Sequence, residues 1–256
     1  MSGMARTVTS MESPHSPEVI RVVEAMLADG PQDAALMGML QAAASSATAK
    51  EAKTLLLAQD WANLGRYQAA NAALIAANDR PDLVMIGNSI TEIWPFADPA
   101  FFVAGRVARG ISGQTSPQTL IRFQPDVVAL RPKAVHLLCG TNDIAGNTGP
   151  TTPYRFQCNV QAMTRLAQAA GIRVYLGSLL PVTSFMWAPE IDARPWVKEL
   201  NEWLAGWAAE QGHVYVDYHQ AMIDDRGGMR GDLSRDGVHP NRRGYAVMRH
   251  VLEPLI

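Results

Sequence analysis

The chain has little cysteine, almost no net charge and no long apolar run, and each shortage removes a class of function. Cys139 and Cys158 are its only cysteines in 256 residues. Without a CxxC pair they form neither a disulfide framework nor a zinc site. Cys139 ends an apolar stretch and is expected to be a buried thiol, with a bridge to Cys158 the less favoured alternative. Lys and Arg number 22 against 24 Asp and Glu, a net charge of −2, which argues against a nucleic-acid or anionic-membrane binder. The densest basic pair, Arg242-Arg243, is expected to cap or flank the last helix. No stretch approaches the roughly 20 apolar residues of a membrane helix. The opening MSGMARTVTSMESPHSPEV lacks the apolar run of a secretory signal, so a soluble, cytoplasmic protein is expected. HExxH, Cys/His clusters, calcium-loop spacing, a phosphate loop, a dinucleotide fingerprint and GxSxG are all missing. Neither metal nor cofactor is expected.

What is present is ordinary globular composition, 48% hydrophobic and 18% charged, compatible with a large core. Residues 1 to 16 are rich in Ser, Thr and Pro and read as a disordered tail. Helical spacing follows over Pro17 to Ala28, from Gln32 to about Ala44, and again from Thr48 or Ala49. Too short for a core of their own, these segments must pack on the main domain or on a partner, as a plain extension or as a lid or dimer arm. They leave a homo-oligomer open. Residues 1–58 are therefore read as tail and helical extension, and 59–256 as the principal domain. Within it a helix is expected from Trp61 to about Ala77. Strands are expected over Asp82 to Gly87, within Phe101 to Arg109, and over Ala134 to Gly140, Ile172 to Ser178 and His213 to Asp217. Helices are expected over Pro117 to Leu130, Thr152 to Ala170, Ile191 to Gln211 and Arg242 to Leu252. Near-continuous apolar strands alternating with amphipathic helices imply an α/β fold whose mostly parallel five-stranded sheet is covered on both faces.

In such a sheet ligands bind beyond the carboxyl ends of the strands, and four polar segments fall there or near the C-terminus. Gly87-Asn88-Ser89-Ile90-Thr91 follows the first strand. Arg109-Gly110-Ile111-Ser112-Gly113-Gln114 follows the second, and Gly140-Thr141-Asn142-Asp143 the third. Asp236-Gly237-Val238-His239-Pro240 reads as a late loop. Ser89 is the candidate nucleophile; taken alone it reads more readily as a helix N-cap, and the other motifs together reverse that weighing. His239 is the candidate base, because imidazole titrates in the useful range, and Asp236 would orient it. His136 lies inside a strand and reads as a core residue. Asn142, through its side-chain amide, and the backbone N–H groups of Gly113 and Ser89 are candidate oxyanion donors. Asp143 has no ligand set around it.

The ordered set GNSIT, GISGQ, GTND and DGVHP resembles the SGNH (GDSL-type) hydrolase family, most closely its small bacterial esterases related to platelet-activating-factor acetylhydrolase. The resemblance runs from about Trp61 to Leu252. It places the family's signature residues on Ser89, Gly113, Asn142 and His239, with Asp236 completing a triad. It implies a flavodoxin-like three-layer fold and metal-independent ester hydrolysis. One departure is Asn88, where the family usually has Asp; activity is expected to survive it.

Trp94, Ile144, Trp187 and Val238 are the expected substrate-binding residues. The resemblance makes short acyl, acetyl-type esters the first choice of substrate. Stacking of Trp94 and Trp187 on a sugar ring would instead indicate a carbohydrate O-acetylesterase, and an O-acyltransferase would use the same acyl-enzyme. The expected partner is thus a small-molecule or carbohydrate ester.

Overall fold

The computed structural model describes residues 17–30, 34–103 and 105–256. The tail expected over 1 to 16 and the helix start at Gln32 lie outside the described residues. Three helices come first: α1 (Pro17–Leu27), α2 (Ala34–Ser45) and α3 (Ala47–Gln59). The continuous helix expected from Trp61 does not form. The Asp60 carboxylate accepts from the N–H groups of Leu64 and Gly65, and Asn63 turns left-handed at φ 53°. A 3-10 turn over Leu64–Tyr67 then leads into α4 (Gln68–Ala76). The Asx-type capping by Asp60 competes with helix propagation, a local effect that hydrophobic spacing does not register.

Five strands follow the expected order: β1 (Leu83–Gly87), β2 (Arg106–Gly110), β3 (Ala134–Leu138), β4 (Arg173–Gly177) and β5 (Val214–Val216). They form one sheet in the order β2-β1-β3-β4-β5. Every pairing is parallel, so "mostly parallel" becomes wholly parallel. The connecting helices are α5 (Ser89–Ala97), α6 (Ser116–Asp126), α7 (Thr141–Ile144), α8 (Pro153–Ala169), α9 (Arg194–Gln211), α10 (Tyr218–Met222) and α11 (Arg242–Leu252).

Strand side chains alternate between two cores. Val84, Ile86, Val135, Leu137, Val174 and Leu176 pack with Phe156, Val160 and Met163 of α8 and Val197, Leu200 and Leu204 of α9. Leu83, Met85, Ala134, Leu138 and Tyr175 face the other way, onto Ile90 and Trp94 of α5 and Tyr245, Met248 and Leu252 of α11. Two buried faces explain why the strands read as unbroken apolar runs. The result is the expected three-layer α/β/α sandwich. Helix α1 adds Val23, Met26 and Leu27 to the second core, and Glu24 pairs with Arg242 at 2.7 Å. Cys139 and Cys158 are free, the former buried. Among the described residues no helix is long and apolar enough to cross a membrane.

Candidate active site

The site begins where β1 stops. Its last residue, Gly87, lies so close to β3 that a Cβ would sit 2.1 Å from the Leu138 carbonyl oxygen. Asn88 is extended and caps α5, its Oδ1 accepting from the Ile90 N–H at 3.0 Å. Ser89 is thereby the first residue of α5, at the positive end of the helix. That first turn rests directly on the end of β2: a Cβ on Gly110 would come within 2.2 Å of the Glu92 backbone nitrogen. A side chain at Gly110 would push α5 off the sheet, and one at Gly87 would clash with the β3 backbone. Glu92 then ties the next loop to α5, accepting from the Ser112 N–H at 2.7 Å and Oγ at 2.6 Å, and pairs with Arg66 at 3.1 Å.

The loop before α11 approaches from the other side. Ser89 Oγ lies 2.8 Å from His239 Nε2, and His239 Nδ1 lies 2.6 Å from Asp236 Oδ2. The second oxygen of Asp236 accepts from the N–H groups of His239 (2.7 Å) and Val238 (2.9 Å). Burial pushes the Asp236 carboxyl up, but the His239 charge and these hydrogen bonds outweigh it and hold the group at about 2. A carboxylate so held stays ionised, ready to fix one imidazole tautomer. The chain thus brings together Ser89, Asp236 and His239, residues 150 positions apart at the widest.

The candidate donors lie beyond the ends of β2 and β3, Gly113 in the loop before α6 and Asn142 within α7. Gly113 has φ +77°, a conformation that L side chains rarely adopt. Asn142 starts just after β3 and is buried; its Nδ2 donates to the Gln114 carbonyl at 2.9 Å, which leaves one amide N–H over. Asn147 donates from Nδ2 to both Asn142 Oδ1 (2.9 Å) and the Gly113 carbonyl (3.1 Å). Asp143 serves architecture instead, accepting from the Ser116 N–H and Oγ at the start of α6. Burial raises it to about 6, against the pull of those bonds. No cluster able to hold a metal ion occurs among the described residues.

The expected substrate wall needs correction. Trp94 is fully buried, stacked on Phe101 at 5.3 Å and edge-on to Phe102, His136 and Tyr218, so no sugar can reach it. It belongs to the core because α5 turns that face onto the sheet. Ile144 and Val238 are buried in the first core and offer little surface. Trp187 alone of the four is open, 42% exposed, with Nε1 donating to Asn147 Oδ1 at 3.0 Å. A cavity of about 380 Å³ beside the loop after α7, walled by Trp61, Tyr154 and Asn159 among others, includes none of Ser89, Asp236 and His239.

Sequence reasoning missed a buried polar network beneath Ser89. Arg122, fully buried, donates to the carbonyls of Gly87 (3.3 Å) and Arg109 (3.2 Å) and to Gln114 Oε1 (2.7 Å), and pairs with Asp126. Asn71 bridges Asp126 to Arg109. The only sequence signal was an Arg four residues before an Asp, which also reads as an exposed helix pair. Sequence reasoning also missed Arg235, which precedes Asp236 and donates to the Ala25 carbonyl of α1 at 2.7 Å; the spacing of 210 residues gave no hint.

The GDSL-like Lipase/Acylhydrolase family model matches residues 85–247. No functionally curated protein matches the chain. Among solved structures, a Bacteroides fragilis protein classed provisionally as an acylhydrolase is 40% identical with a TM-score of 0.73, covering 77% of this chain and 96% of its own. A GDSL-like lipase from Bacteroides thetaiotaomicron is 37% identical with a TM-score of 0.72, covering 77% and 98%. An acetyl-xylooligosaccharide esterase from Geobacillus shares the fold at 18% identity and TM-score 0.55, covering 67% and 92%. The match over residues 85–247 and the two Bacteroides neighbours make the chain a member of the GDSL-like lipase/acylhydrolase family, hydrolases that act on ester bonds.

Proposed function

We propose that the protein is a serine esterase that hydrolyses short-chain, acetyl-type esters through an acyl-enzyme on Ser89. The observation that carries this reading is the continuous chain of contacts from Ser89 Oγ through His239 to Asp236, at 2.8 and 2.6 Å. His239 takes the hydroxyl proton as Ser89 Oγ attacks the ester carbonyl. The tetrahedral oxyanion is met by the N–H groups of Ser89 and Gly113 and the spare amide N–H of Asn142. Each such donor is worth roughly 3–4 kcal/mol in the transition state. His239 then returns the proton to the departing alkoxide. Water, deprotonated by the same imidazole, releases the acid and restores Ser89. Asp236 stays charged throughout and steadies the imidazolium.

The exposed ring of Trp187 favours a second reading within the same chemistry, a carbohydrate O-acetylesterase with a sugar stacked on Trp187. The test of both is hydrolysis of p-nitrophenyl esters from acetate to decanoate and of an acetylated sugar, wild type beside Ser89→Ala. Activity should peak at acetate or butyrate and be lost in Ser89→Ala. A Ser89→Ala variant as active as wild type would reject the mechanism, and a preference for decanoate would reject the short-acyl site.

A further inference from the structure

We propose that Asn147 is the positioning residue of the oxyanion hole and couples it to the substrate wall at Trp187. The proposal rests on the esterase reading above. Asn147 sits on the loop after α7, between Gly146 and Gly149, both at positive φ. It is only half-buried, and the core does not ask for an amide there. Yet every polar atom of the side chain is engaged. Both hydrogens of Nδ2 are used, one on Asn142 Oδ1 at 2.9 Å and one on the Gly113 carbonyl at 3.1 Å. Oδ1 accepts from Trp187 Nε1 at 3.0 Å. The backbone N–H donates to the Asn142 carbonyl at 3.1 Å. Rotating the amide by half a turn would set oxygen against oxygen at two places, so its orientation is fixed.

The consequence falls on the two donors that Asn147 touches. With Asn142 Oδ1 held by Asn147 and one Nδ2 hydrogen held by Gln114, the other hydrogen points in one direction only. Gly113 lacks a side chain to limit its backbone, and the clamp on its carbonyl limits it instead. Preorganisation of donors before charge develops is what makes an oxyanion hole effective. Trp187 completes the link: its indole is exposed enough for a ligand to touch, and its N–H ends on the residue that sets both donors. A group bound against Trp187 therefore bears on the geometry of the reacting carbonyl.

The experiment is steady-state kinetics on p-nitrophenyl acetate for wild type, Asn147→Ala, Asn147→Asp, Asn142→Ala and the double variant Asn142→Ala/Asn147→Ala, each checked for unchanged thermal unfolding. Asn147→Ala should lower kcat about 10- to 100-fold with KM within about threefold. Asn147→Asp should lose at least as much although it keeps the acceptor for Trp187, because its carboxylate faces two carbonyl oxygens. On the Asn142→Ala background, removing Asn147 should cost less than about threefold more, the non-additivity of residues acting as a unit. An Asn147→Ala variant within twofold of wild type in kcat, or one that costs the same with and without Asn142, overturns the proposal. A wild type that is itself inactive, with Ser89 unreactive, rejects the esterase reading and this inference with it. An active wild type with an indifferent Asn147 rejects this inference alone.

Discussion

Asp236 commits one oxygen to the His239 ring and the other to the backbone of its own loop. An amide cannot fill both places. In Asp236→Asn, either the amide nitrogen faces His239 Nδ1 and favours the wrong tautomer, or it faces two backbone N–H donors. The expected result is a fall in kcat of roughly 10³- to 10⁴-fold with the fold intact, measured on p-nitrophenyl acetate beside circular dichroism. A loss under tenfold would show that Asp236 does not orient the imidazole. At this scale the candidate Ser, His and Asp were legible because they belong to an ordered set of polar segments that together supply a nucleophile, a base and its orienter. Asn147 was not, because a loop Asn followed by Thr and Gly announces a turn and nothing more. Trp94 misled for the opposite reason: an aromatic near a candidate nucleophile reads the same whether it faces a ligand or a core. Asn88 keeps the capping role through Oδ1, which supports the expectation that activity survives the change from Asp; its buried Nδ2 has no partner among the described residues.

At the scale of elements, the strand ends β1 and β2 are held from below by one side chain. Arg122 of α6 gathers the carbonyls of Gly87 and Arg109 while pairing with Asp126 one turn along. Removing it leaves a buried carboxylate with Asn71 as its nearest help. Arg122→Ala should therefore destabilise the protein by about 3–5 kcal/mol, read from the midpoint of urea unfolding, while a loss below 1 kcal/mol would mean water replaces the guanidinium. The five strands and most of the long helices were legible from periodicity, since near-continuous apolar runs such as LVMIG and AVHLL suit a sheet covered on both faces; the order of the strands within the sheet was not. The break at Asn63 and the packing of α1 beside the His239 loop were not, because one depends on a cap and the other on contacts between distant segments.

For the whole molecule, pH acts on buried groups of opposite sign. His136 of β3 is fully buried, with Nε2 2.9 Å from the Tyr218 hydroxyl, and burial lowers it to about 3. Its folded pKa lies below its unfolded value near 6.5, so it contributes stability above that pH and loses it as pH falls towards 3. Asp143 runs the other way: raised to about 6 by burial, it favours folding as pH falls from about 6 to 4. Comparing wild type with His136→Gln isolates the first effect. Wild type should lose stability relative to the variant by roughly 1.4 kcal/mol per pH unit below 6.5, measured by chemical unfolding from pH 7 to 4. A difference that stays constant across that range would contradict a neutral, buried His136.

The proposed chemistry at Ser89 is tested most directly by the mass of the intact protein after reaction with a fluorophosphonate. One adduct per chain, located on Ser89, absent in Ser89→Ala and slowed by orders of magnitude in His239→Ala, is the predicted result. A wild type that gains no mass, or that carries its adduct on another residue, would contradict the account.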